Sequence, residues 1–372
     1  MLTFHTLRVA DIQPEAEDAV GISLEVPAEL RDLYRGLPGQ HVVVRTEIND
    51  VENRRTYSVV SAPGESPLRI VARVHPTGHM SRYFAEQLNA GDELDVLPPN
   101  GSFTPRRAAQ GKGRYVAFAS GCGITPVLAI VRSLLAADQG NRVVLFYGNA
   151  STGRAMCLEE LLGLKDQYLD RLSLHFVMSR EPQEVELYNG RIDTAKVKEF
   201  ARTLFSPAQV TEYFVCGPGN MIDEVSATLK EFGVAADHIH GEHFTPETAT
   251  ARPEQPADSM HTSLPAQAEM APAAAAAADM AEVTVLMDGR RRSFTMKMND
   301  EVVLDAAMRA GLELPFSCRA GVCSTCRTKV VRGEVEMAQN YALEDWEVQQ
   351  GYVLACQSCV KTPVLELDYD EK

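Results

Sequence analysis

Four cysteines near the C-terminus restrict the fold of this chain more than any other feature of its sequence. Cys318, Cys323 and Cys326 are spaced C-x4-C-x2-C, and Cys356 follows further along the same segment. The residues between the first three cysteines are mostly small, which lets backbone N–H groups approach a bound group closely. Thiolates that converge in this way hold a metal centre, so the segment is expected to fold around one.

The cysteine spacing fits two kinds of metal centre. C-x4-C-x2-C followed by a distant cysteine is the spacing of plant-type [2Fe–2S] clusters. Cys323-x2-Cys326 and Cys356-x2-Cys359 could instead form the two pairs of a structural zinc site. The zinc alternative has a longer gap between its pairs than is usual and leaves Cys318 unused. The spacing therefore favours an iron–sulfur cluster.

Size and charge limit the number of domains and the classes of binding partner. The chain has 372 residues, enough for about two or three domains with separate hydrophobic cores. Its net charge of −15 argues against a nucleic-acid partner, which would need a basic face to contact phosphates. No apolar run is long enough to span a membrane, and the N-terminus has no signal-peptide pattern. We therefore expect no membrane partner and a cytoplasmic location.

The sequence changes character three times along its length. Residues 1–108 contain strand-like runs such as "QHVVVRTEI", which predict an antiparallel β-barrel. Residues 109–244 alternate between strand and helix patterns, which predicts a doubly wound α/β domain. Residues 245–281 are rich in Ala and Pro and lack apolar periodicity, so we interpret them as a linker. Residues 282–372 are expected to form a compact α+β domain.

One strand-to-helix turn, in "AFASGCGITPVLAIV", is typical of a dinucleotide site. Gly121 and Gly123 would let the backbone approach a pyrophosphate, and the helix N-terminus would supply N–H groups. Pro126 suits the first helical position, where no N–H is needed. The pattern departs from the usual fingerprint at its third glycine, and an ordinary tight turn is the alternative.

Three further motifs accompany this turn: Arg55-Thr56-Tyr57-Ser58, Gly78-His79-Met80-Ser81 and Cys216-Gly217-Pro218. Together they resemble the ferredoxin–NADP reductase superfamily over residues 1–244. The segment "LDAAMRAGLELPFSCRAGVCSTCRTKVVRGEVEM" resembles a plant-type ferredoxin. The resemblance implies FAD in the barrel, NAD(P)H in the α/β domain and a [2Fe–2S] cluster in a β-grasp ferredoxin domain. It also implies the cluster ligands, which would be Cys318, Cys323, Cys326 and Cys356.

The resemblance implies roles for the barrel residues. Tyr57 would lie against the flavin ring, with Ser58 hydrogen-bonded near its N5. Arg55 would pair with the FAD pyrophosphate, since a planar guanidinium suits that anion. Residues 78–81 would hold the same pyrophosphate at a helix start, although Met80 is as readily explained as a core residue. For Tyr57 the alternative is ordinary packing in the barrel.

The resemblance extends to the α/β domain. Thr125 and Cys216 would line the nicotinamide pocket. Glu242 and Phe244, in the closing "GEHF", would lie beside the flavin, which makes Ser58, Cys216 and Glu242 the candidate catalytic residues. Ser179 and Arg180 resemble a 2′-phosphate site and predict NADPH as the donor, with a surface loop as the alternative.

The domain order, with the ferredoxin last, suggests an acceptor. It resembles the reductase components of phenylacetyl-CoA epoxidases, as do "NGRID" and "ALEDWEVQQGYVLACQ". This implies electron flow from NADPH through FAD and [2Fe–2S] to a separate di-iron oxygenase. A reductase of the same build that serves another hydroxylase is one alternative. A non-redox binding module stabilised by zinc is the other.

Overall fold

The structure is a computed structural model that describes residues 3–107, 112–244 and 279–371. The chain divides into two compact units, an N-terminal unit, Leu2–Phe244, and a C-terminal unit, Thr245–Lys372. The predicted boundary near residue 108 and most of the predicted linker fall outside the described residues. The domain limits given above therefore stay predictions.

The first half of the N-terminal unit is an antiparallel sheet. Its strands are β1 (His5–Ala16), β2 (Ala19–Glu25), β3 (His41–Ile48), β4 (Val51–Ser58), β5 (Leu68–Arg73) and β6 (Glu93–Val96). They follow the order β4-β3-β6-β1-β2-β5, and a bridge between Val59 and Ile70 joins the two ends. The sheet thus closes into the predicted β-barrel. Helix α1 (His79–Glu86) packs on it, with Met80 and Phe84 fully buried.

The second half is a parallel sheet flanked by helices. Its strands are β7 (Arg114–Ser120), β8 (Arg142–Asn149), β9 (Leu172–Met178), β10 (Glu212–Gly217) and β11 (Ile239–His243). Its helices are α2 (Ile124–Ala137), α3 (Leu158–Gln167), α4 (Thr194–Thr203) and α5 (Gly219–Glu231). The order β11-β10-β7-β8-β9 reverses direction at β7, which confirms the doubly wound prediction. Ligands bind such sheets at the carboxyl ends of the strands beside that reversal.

The barrel and the α/β domain share one hydrophobic core. Helix α2 lies between the sheet and the barrel, and its side chains are accordingly apolar on nearly every side. A Cβ added to Gly39 of the barrel would lie 2.8 Å from Ile130 Cδ1 of α2. Arg69 of β5 forms ion pairs with Glu15 of β1 and Glu160 of α3. Burial and paired charges therefore hold the two domains together as one unit.

The C-terminal unit is a mixed sheet with one helix packed against it. Its strands are β12 (Met280–Met287), β13 (Arg290–Lys297), β14 (Arg327–Arg332), β15 (Val335–Met337), β16 (Tyr352–Leu354), β17 (Ser358–Val360) and β18 (Val364–Asp368). The main sheet has the order β13-β12-β18-β14-β16, with β12 and β18 parallel. Helices α6 (Val303–Arg309) and α7 (Asp345–Gln349) complete it, and α6 buries four side chains in its core. This is the predicted β-grasp fold.

The sheet of the C-terminal unit begins earlier than expected. Met280 and Ala281 belong to β12, opposite Lys297 and Met296, although both were assigned to the linker. Their pairing with β13 outweighs the low apolar content that suggested a linker. In the described parts of the chain, no helix is both long and apolar enough to cross a membrane.

Candidate functional site

The motif at residues 55–58 forms the end of β4, where Thr56 pairs with Val43 of β3. Ser58 is 3% exposed, and its Oγ has no hydrogen-bond partner among the described residues. Tyr57 packs against Phe84, with ring centroids 5.3 Å apart. Leaving a buried hydroxyl unpaired is costly, so a bound group that hydrogen-bonds to Ser58 fits this position.

The start of α1 is the second predicted contact for FAD. Gly78 caps the helix, and its N–H donates to the His75 carbonyl at 2.9 Å. Ser81 is buried, and its Oγ accepts a hydrogen bond from the His75 N–H at 3.2 Å. His79 is exposed, whereas Met80 is fully buried, which fits Met80 as a core residue. The N–H groups of a first helical turn have no intrahelical partner, so this helix start suits a pyrophosphate.

A buried His–Glu pair beside Ser58 escaped the sequence analysis. His41 Nδ1 lies 3.6 Å from Glu242 Oε1, and the two residues are 3% and 9% exposed. Backbone pairing places His41 opposite Ser58 and Glu242 opposite Cys216. The contact between His41 and Glu242 therefore brings the three candidate catalytic residues, Ser58, Cys216 and Glu242, into one region. A lone histidine at the head of the apolar run "HVVV" was the signal that could have identified it.

The predicted dinucleotide turn lies between β7 and α2. Gly121 has φ +56, a conformation that favours glycine, and it lines a cavity described below. A Cβ on Gly123 would lie only 2.0 Å from the Cys216 carbonyl oxygen. Glycine at this position is what lets the turn contact the end of β10.

The hydrogen bonds and the helix start of this turn show where Thr125 and Pro126 lie. The Thr125 hydroxyl donates to the Cys122 carbonyl at 2.9 Å, so Thr125 braces the turn from inside. Pro126 is the third residue of α2 rather than the first, because residues Gly121–Gly123 form a short 3-10 turn and the α-helix begins at Ile124. The prediction for Pro126 was wrong by two positions. Proline is tolerated there because the first N–H groups of a helix have no intrahelical partner.

The loop after β10 meets the turn from the other side. Cys216 is fully buried, and this burial, with the nearby Glu242 carboxylate, raises the pKa of its thiol well above the usual value. The side chain is therefore a neutral thiol, suited to contact rather than to nucleophilic attack. A Cβ on Gly217 would lie 2.7 Å from Met221 Cε, so the flexible Met221 side chain would have to move to admit a larger residue. Pro218 caps α5.

A cavity of about 460 Å³ opens at the carboxyl ends of β7 to β10. Its lining includes four residues predicted to bind the nicotinamide nucleotide: Gly121, Ser179, Arg180 and Pro218. It also includes four polar residues that the sequence analysis missed: Arg73, Asn149, Arg154 and Arg191. The cavity adjoins the point where the strand order reverses, which is where such folds bind dinucleotides.

Four arginines give the cavity a positive lining. Asp18, in the β1–β2 turn, pairs with both Arg73 and Arg154. Arg180 and Arg191 form no ion pair with any residue that the structure describes. These two guanidinium groups are thus available to an anion.

The carboxylates near Arg180 and Arg191 are engaged elsewhere. Glu181 accepts hydrogen bonds from the N–H and the hydroxyl of Thr152, both at 2.7 Å. Asp193 caps α4 by accepting from the Lys196 N–H at 2.9 Å. Glu224 accepts from the Thr194 N–H at 3.2 Å.

The four predicted ligand cysteines converge in the C-terminal unit. All are buried, and thiol contacts join Cys318 to Cys323, Cys318 to Cys356 and Cys326 to Cys356. Hydrogen bonds from the Cys323 and Cys356 thiols lower the pKa of Cys318, and contacts among the same sulfurs raise the pKa values of Cys323 and Cys356. Thiolates are the form that binds iron.

The loop around these thiols has an unusual backbone. Arg319, Gly321 and Ser324 have φ of 53°, 75° and 50°, a conformation that non-glycine residues adopt mainly where function requires it. The Gln357 amide nitrogen lies 3.6 Å from Cys356 Sγ and 2.9 Å from the Arg319 carbonyl, which ties the fourth cysteine to the loop. Cys359 instead lies in β17, opposite Glu336.

Three family models match successive parts of the chain. They describe an oxidoreductase FAD-binding domain over residues 6–104, an oxidoreductase NAD-binding domain over 118–227 and a 2Fe-2S iron-sulfur cluster binding domain over 285–361. The chain is also 38% identical over 375 residues to one of the subunits of the 1,2-phenylacetyl-CoA epoxidase of Escherichia coli K12, with 100% of this chain and 99% of that protein covered. The chain belongs to the ferredoxin–NADP reductase superfamily.

Two further proteins are similar over nearly their whole length. A 3-ketosteroid-9-alpha-monooxygenase ferredoxin reductase component of Rhodococcus rhodochrous is 29% identical, over 98% of this chain and 96% of that protein. Phthalate dioxygenase reductase shares the fold, with a TM-score of 0.58, 23% identity and 98% coverage of both chains. This member of the superfamily is thus an NAD(P)H oxidoreductase with an FAD domain and a plant-type [2Fe–2S] domain. The iron–sulfur match excludes the zinc-stabilised binding module.

Proposed function

We propose that this reductase takes a hydride from NADPH and supplies electrons to a separate di-iron oxygenase that epoxidises phenylacetyl-CoA. The observation that carries the proposal is the similarity to the Escherichia coli epoxidase component, which extends from end to end of both chains. Bound FAD would accept a hydride and release electrons singly, which matches a two-electron donor to a one-electron cluster. Residues of this chain would bind the flavin and the nicotinamide and position them relative to each other.

Residues at the end of β4 and the start of α1 would hold FAD. Ser58 would direct its unpaired hydroxyl to the flavin ring, and Tyr57 would cover the ring. The helix start at residues 78–81, through the N–H groups of residues 79–81, and the Arg55 guanidinium would bind the pyrophosphate. The buried contact of His41 with Glu242 supports placing the ring here, because both His41 ring nitrogens and Glu242 Oε2 have no hydrogen-bond partner in the described structure.

Two segments in contact, the turn before α2 and the end of β10, would position the nicotinamide. Gly123 and Cys216 bring the turn before α2 against the end of β10, so Thr125 and Cys216 would flank the ring. A neutral thiol at Cys216 adds no charge near a hydride in transit. Phe244 packs on the core shared with the barrel and would close the site beside Glu242.

The two free guanidinium groups in the cavity support NADPH as the donor. Arg180→Ala should raise the KM for NADPH by about tenfold, since a hydrogen bond to a charged group contributes about 1.5–3 kcal/mol and exposure reduces that value. The KM for NADH should stay within about twofold, because NADH has no 2′-phosphate. Steady-state dye reduction with each nucleotide measures both values.

Arg202→Ala is the matched control for Arg180, because Arg202 is exposed on α4 and does not line the cavity. Its KM for both nucleotides should match that of the unaltered protein. Equal losses with NADPH and NADH in Arg180→Ala would contradict a 2′-phosphate contact.

The acceptor is tested by reconstitution. The purified holoprotein, mixed with the oxygenase subunits of a phenylacetyl-CoA epoxidase, should couple NADPH oxidation to consumption of phenylacetyl-CoA. A second candidate acceptor is another oxygenase, since the Rhodococcus rhodochrous relative is named as a 3-ketosteroid monooxygenase component. Fast reduction of a dye without coupled turnover of phenylacetyl-CoA would favour that second candidate.

We place the reductase in the cytoplasm as part of this proposal. No disulfide joins any of the eight cysteines, all of which the structure describes, as is usual for proteins of a reducing compartment. Fractionation of the native host, with the [2Fe–2S] absorbance followed in each fraction, tests this assignment.

A further inference from the structure

Glu212 is a buried carboxylate that the proposed reaction does not use. It is the first residue of β10 and is fully buried, although acidic side chains are rarely buried unless they are paired. Its Oε1 accepts hydrogen bonds from the Arg106 N–H at 2.9 Å and from His240 Nε2 at 3.0 Å. Its Oε2 accepts from the Arg107 N–H at 3.1 Å. Three donors from two other parts of the chain therefore meet on one side chain.

The charge of Glu212 makes these hydrogen bonds strong. Burial alone would raise the pKa of Glu212, but the hydrogen bonds from His240 and from the two backbone N–H groups outweigh burial and lower the pKa below its usual value. The group is therefore a carboxylate, and hydrogen bonds to a charged group are stronger than those between neutral groups. Glu212 thus anchors the stretch of chain that carries the two N–H groups.

That stretch is the joining segment, residues 100–107, which leads out of the barrel. At its start, Asn100 and His41 exchange two backbone hydrogen bonds, of 2.9 and 2.8 Å. Further along, the buried Phe103 ring packs against Phe214 of β10, with ring centroids 5.9 Å apart. The joining segment thus runs from the candidate flavin site to the beginning of β10.

The strands that hold this anchor also carry site residues. Side chains at alternate positions of a strand share a face, so Glu212 and Cys216 lie on one face of β10. By the same rule, His240 and Glu242 lie on one face of β11. Cys216 belongs to the hydrophobic core shared with the barrel, whereas Tyr213 belongs to the core on the other side of the sheet. The anchor and the site residues of β10 therefore lie on the face toward the barrel.

Backbone pairing connects the anchor to the site. β10 is paired along its length with both β7 and β11, so a shift at its first residue is passed to its last. The joining segment is tied to His41 by its own backbone hydrogen bonds. A change in how Glu212 holds this segment would therefore move the barrel side of the site relative to the sheet side.

We propose that Glu212 is a positioning residue for hydride transfer. By holding the joining segment against the beginning of β10, it fixes the distance between His41 on the barrel and Glu242 on the sheet. Ser58 and Cys216 are the backbone-paired neighbours of these two residues, and the flavin and the nicotinamide would meet between the two sides. The inference therefore rests on the proposed function. A displacement of about 1 Å in such a site can slow a reaction by about a hundredfold.

The test compares the unaltered full-length holoprotein with Glu212→Gln, which keeps the side-chain size but removes the charge and one acceptor atom. At saturating NADPH, the rate of flavin reduction in stopped-flow absorbance should fall at least about tenfold. The Kd for NADP+ should change by less than about twofold, because Glu212 does not line the nucleotide cavity. The long-wavelength absorbance that appears when a nicotinamide stacks on a flavin should weaken, which a loss of stability alone would not cause.

Glu199→Gln is the matched control, because Glu199 is exposed on α4 and the same chemical change there should alter none of these values. If Glu212→Gln does not retain flavin, it is replaced by Glu212→Asp, which keeps the charge on a shorter side chain and should show the same difference between rate and affinity. A lower melting temperature with an unchanged rate of flavin reduction would overturn the positioning role. Equal losses of rate and of NADP+ affinity would also overturn it.

Failure of the proposed donor would be visible separately. If the unaltered protein does not bind NADP+, the assignment of NADPH is wrong, and the rate comparison is made with NADH. Slower flavin reduction by NADH in Glu212→Gln would then support the positioning role, and an unchanged rate would overturn it.

Discussion

Cys318→Ala is expected to abolish electron delivery through the cluster to cytochrome c while the flavin continues to reduce ferricyanide directly. Removing one of four converging thiols leaves an iron without its ligand, and the buried cluster site cannot recruit water as a substitute of similar strength. The N-terminal unit is a separate compact unit, so NADPH-driven ferricyanide reduction should stay within about twofold of normal. Iron analysis, visible absorbance and cytochrome c reduction measure the three quantities.

Cys359→Ala is the matched control for Cys318→Ala. Cys359 lies in β17, in the same unit, and would be a ligand only in the zinc arrangement. It should keep about two irons per chain and full cytochrome c reduction. A Cys359 variant that lost iron, beside a Cys318 variant that kept it, would contradict the ligand set proposed here.

The convergence of the four cysteines could be predicted from the sequence because the pattern is local. Cys318, Cys323 and Cys326 lie in one short loop, so their spacing alone limits what they can bind. The doubly wound order of β7 to β11 was likewise predictable, since each strand and helix has its own periodicity. In both cases the residues that form the pattern are close in the sequence to the structural feature that the pattern predicts.

The site features that the sequence did not reveal depend on contacts between distant segments. His41, the partner of Glu242, is far from it in the chain, and the two meet only because the start of β3 lies beside the end of β11. Arg191 and Asn149 become site residues only when the ends of the parallel strands form a cavity. No local pattern distinguishes Arg191 and Asn149 from other polar residues, so the fold must be known first.

Local geometry also misled the sequence analysis in two places. Pro126 was expected to open α2, but a 3-10 turn at Gly121–Gly123 moves the helix start to Ile124. Met280 and Ala281 were assigned to the linker, but pairing with β13 draws them into the sheet. A 3-10 turn decided the first boundary, and strand pairing decided the second.

Gly123→Ala should damage both the stability of the N-terminal unit and its reaction with NADPH. The added Cβ would lie 2.0 Å from the Cys216 carbonyl oxygen, so the turn and the end of β10 must separate. Overpacking of this kind costs at least about 2 kcal/mol, which for a unit of this size lowers the melting temperature by about 4–8 °C. Flavin reduction by NADPH should slow markedly, because Thr125 and Cys216 would no longer flank the nicotinamide together.

Gly163→Ala is the matched control for Gly123→Ala, because Gly163 lies in α3 and nothing is within 4 Å of an added Cβ. Alanine is a better helix former than glycine by about 0.8–1.0 kcal/mol, so this variant should melt at an equal or higher temperature. Its rate of flavin reduction by NADPH should not change. A Gly123 variant that melts early but keeps that rate would make the turn a purely structural feature. Loss of the rate, with chemical reduction of the flavin intact, would assign the contact between the two loops to nucleotide positioning.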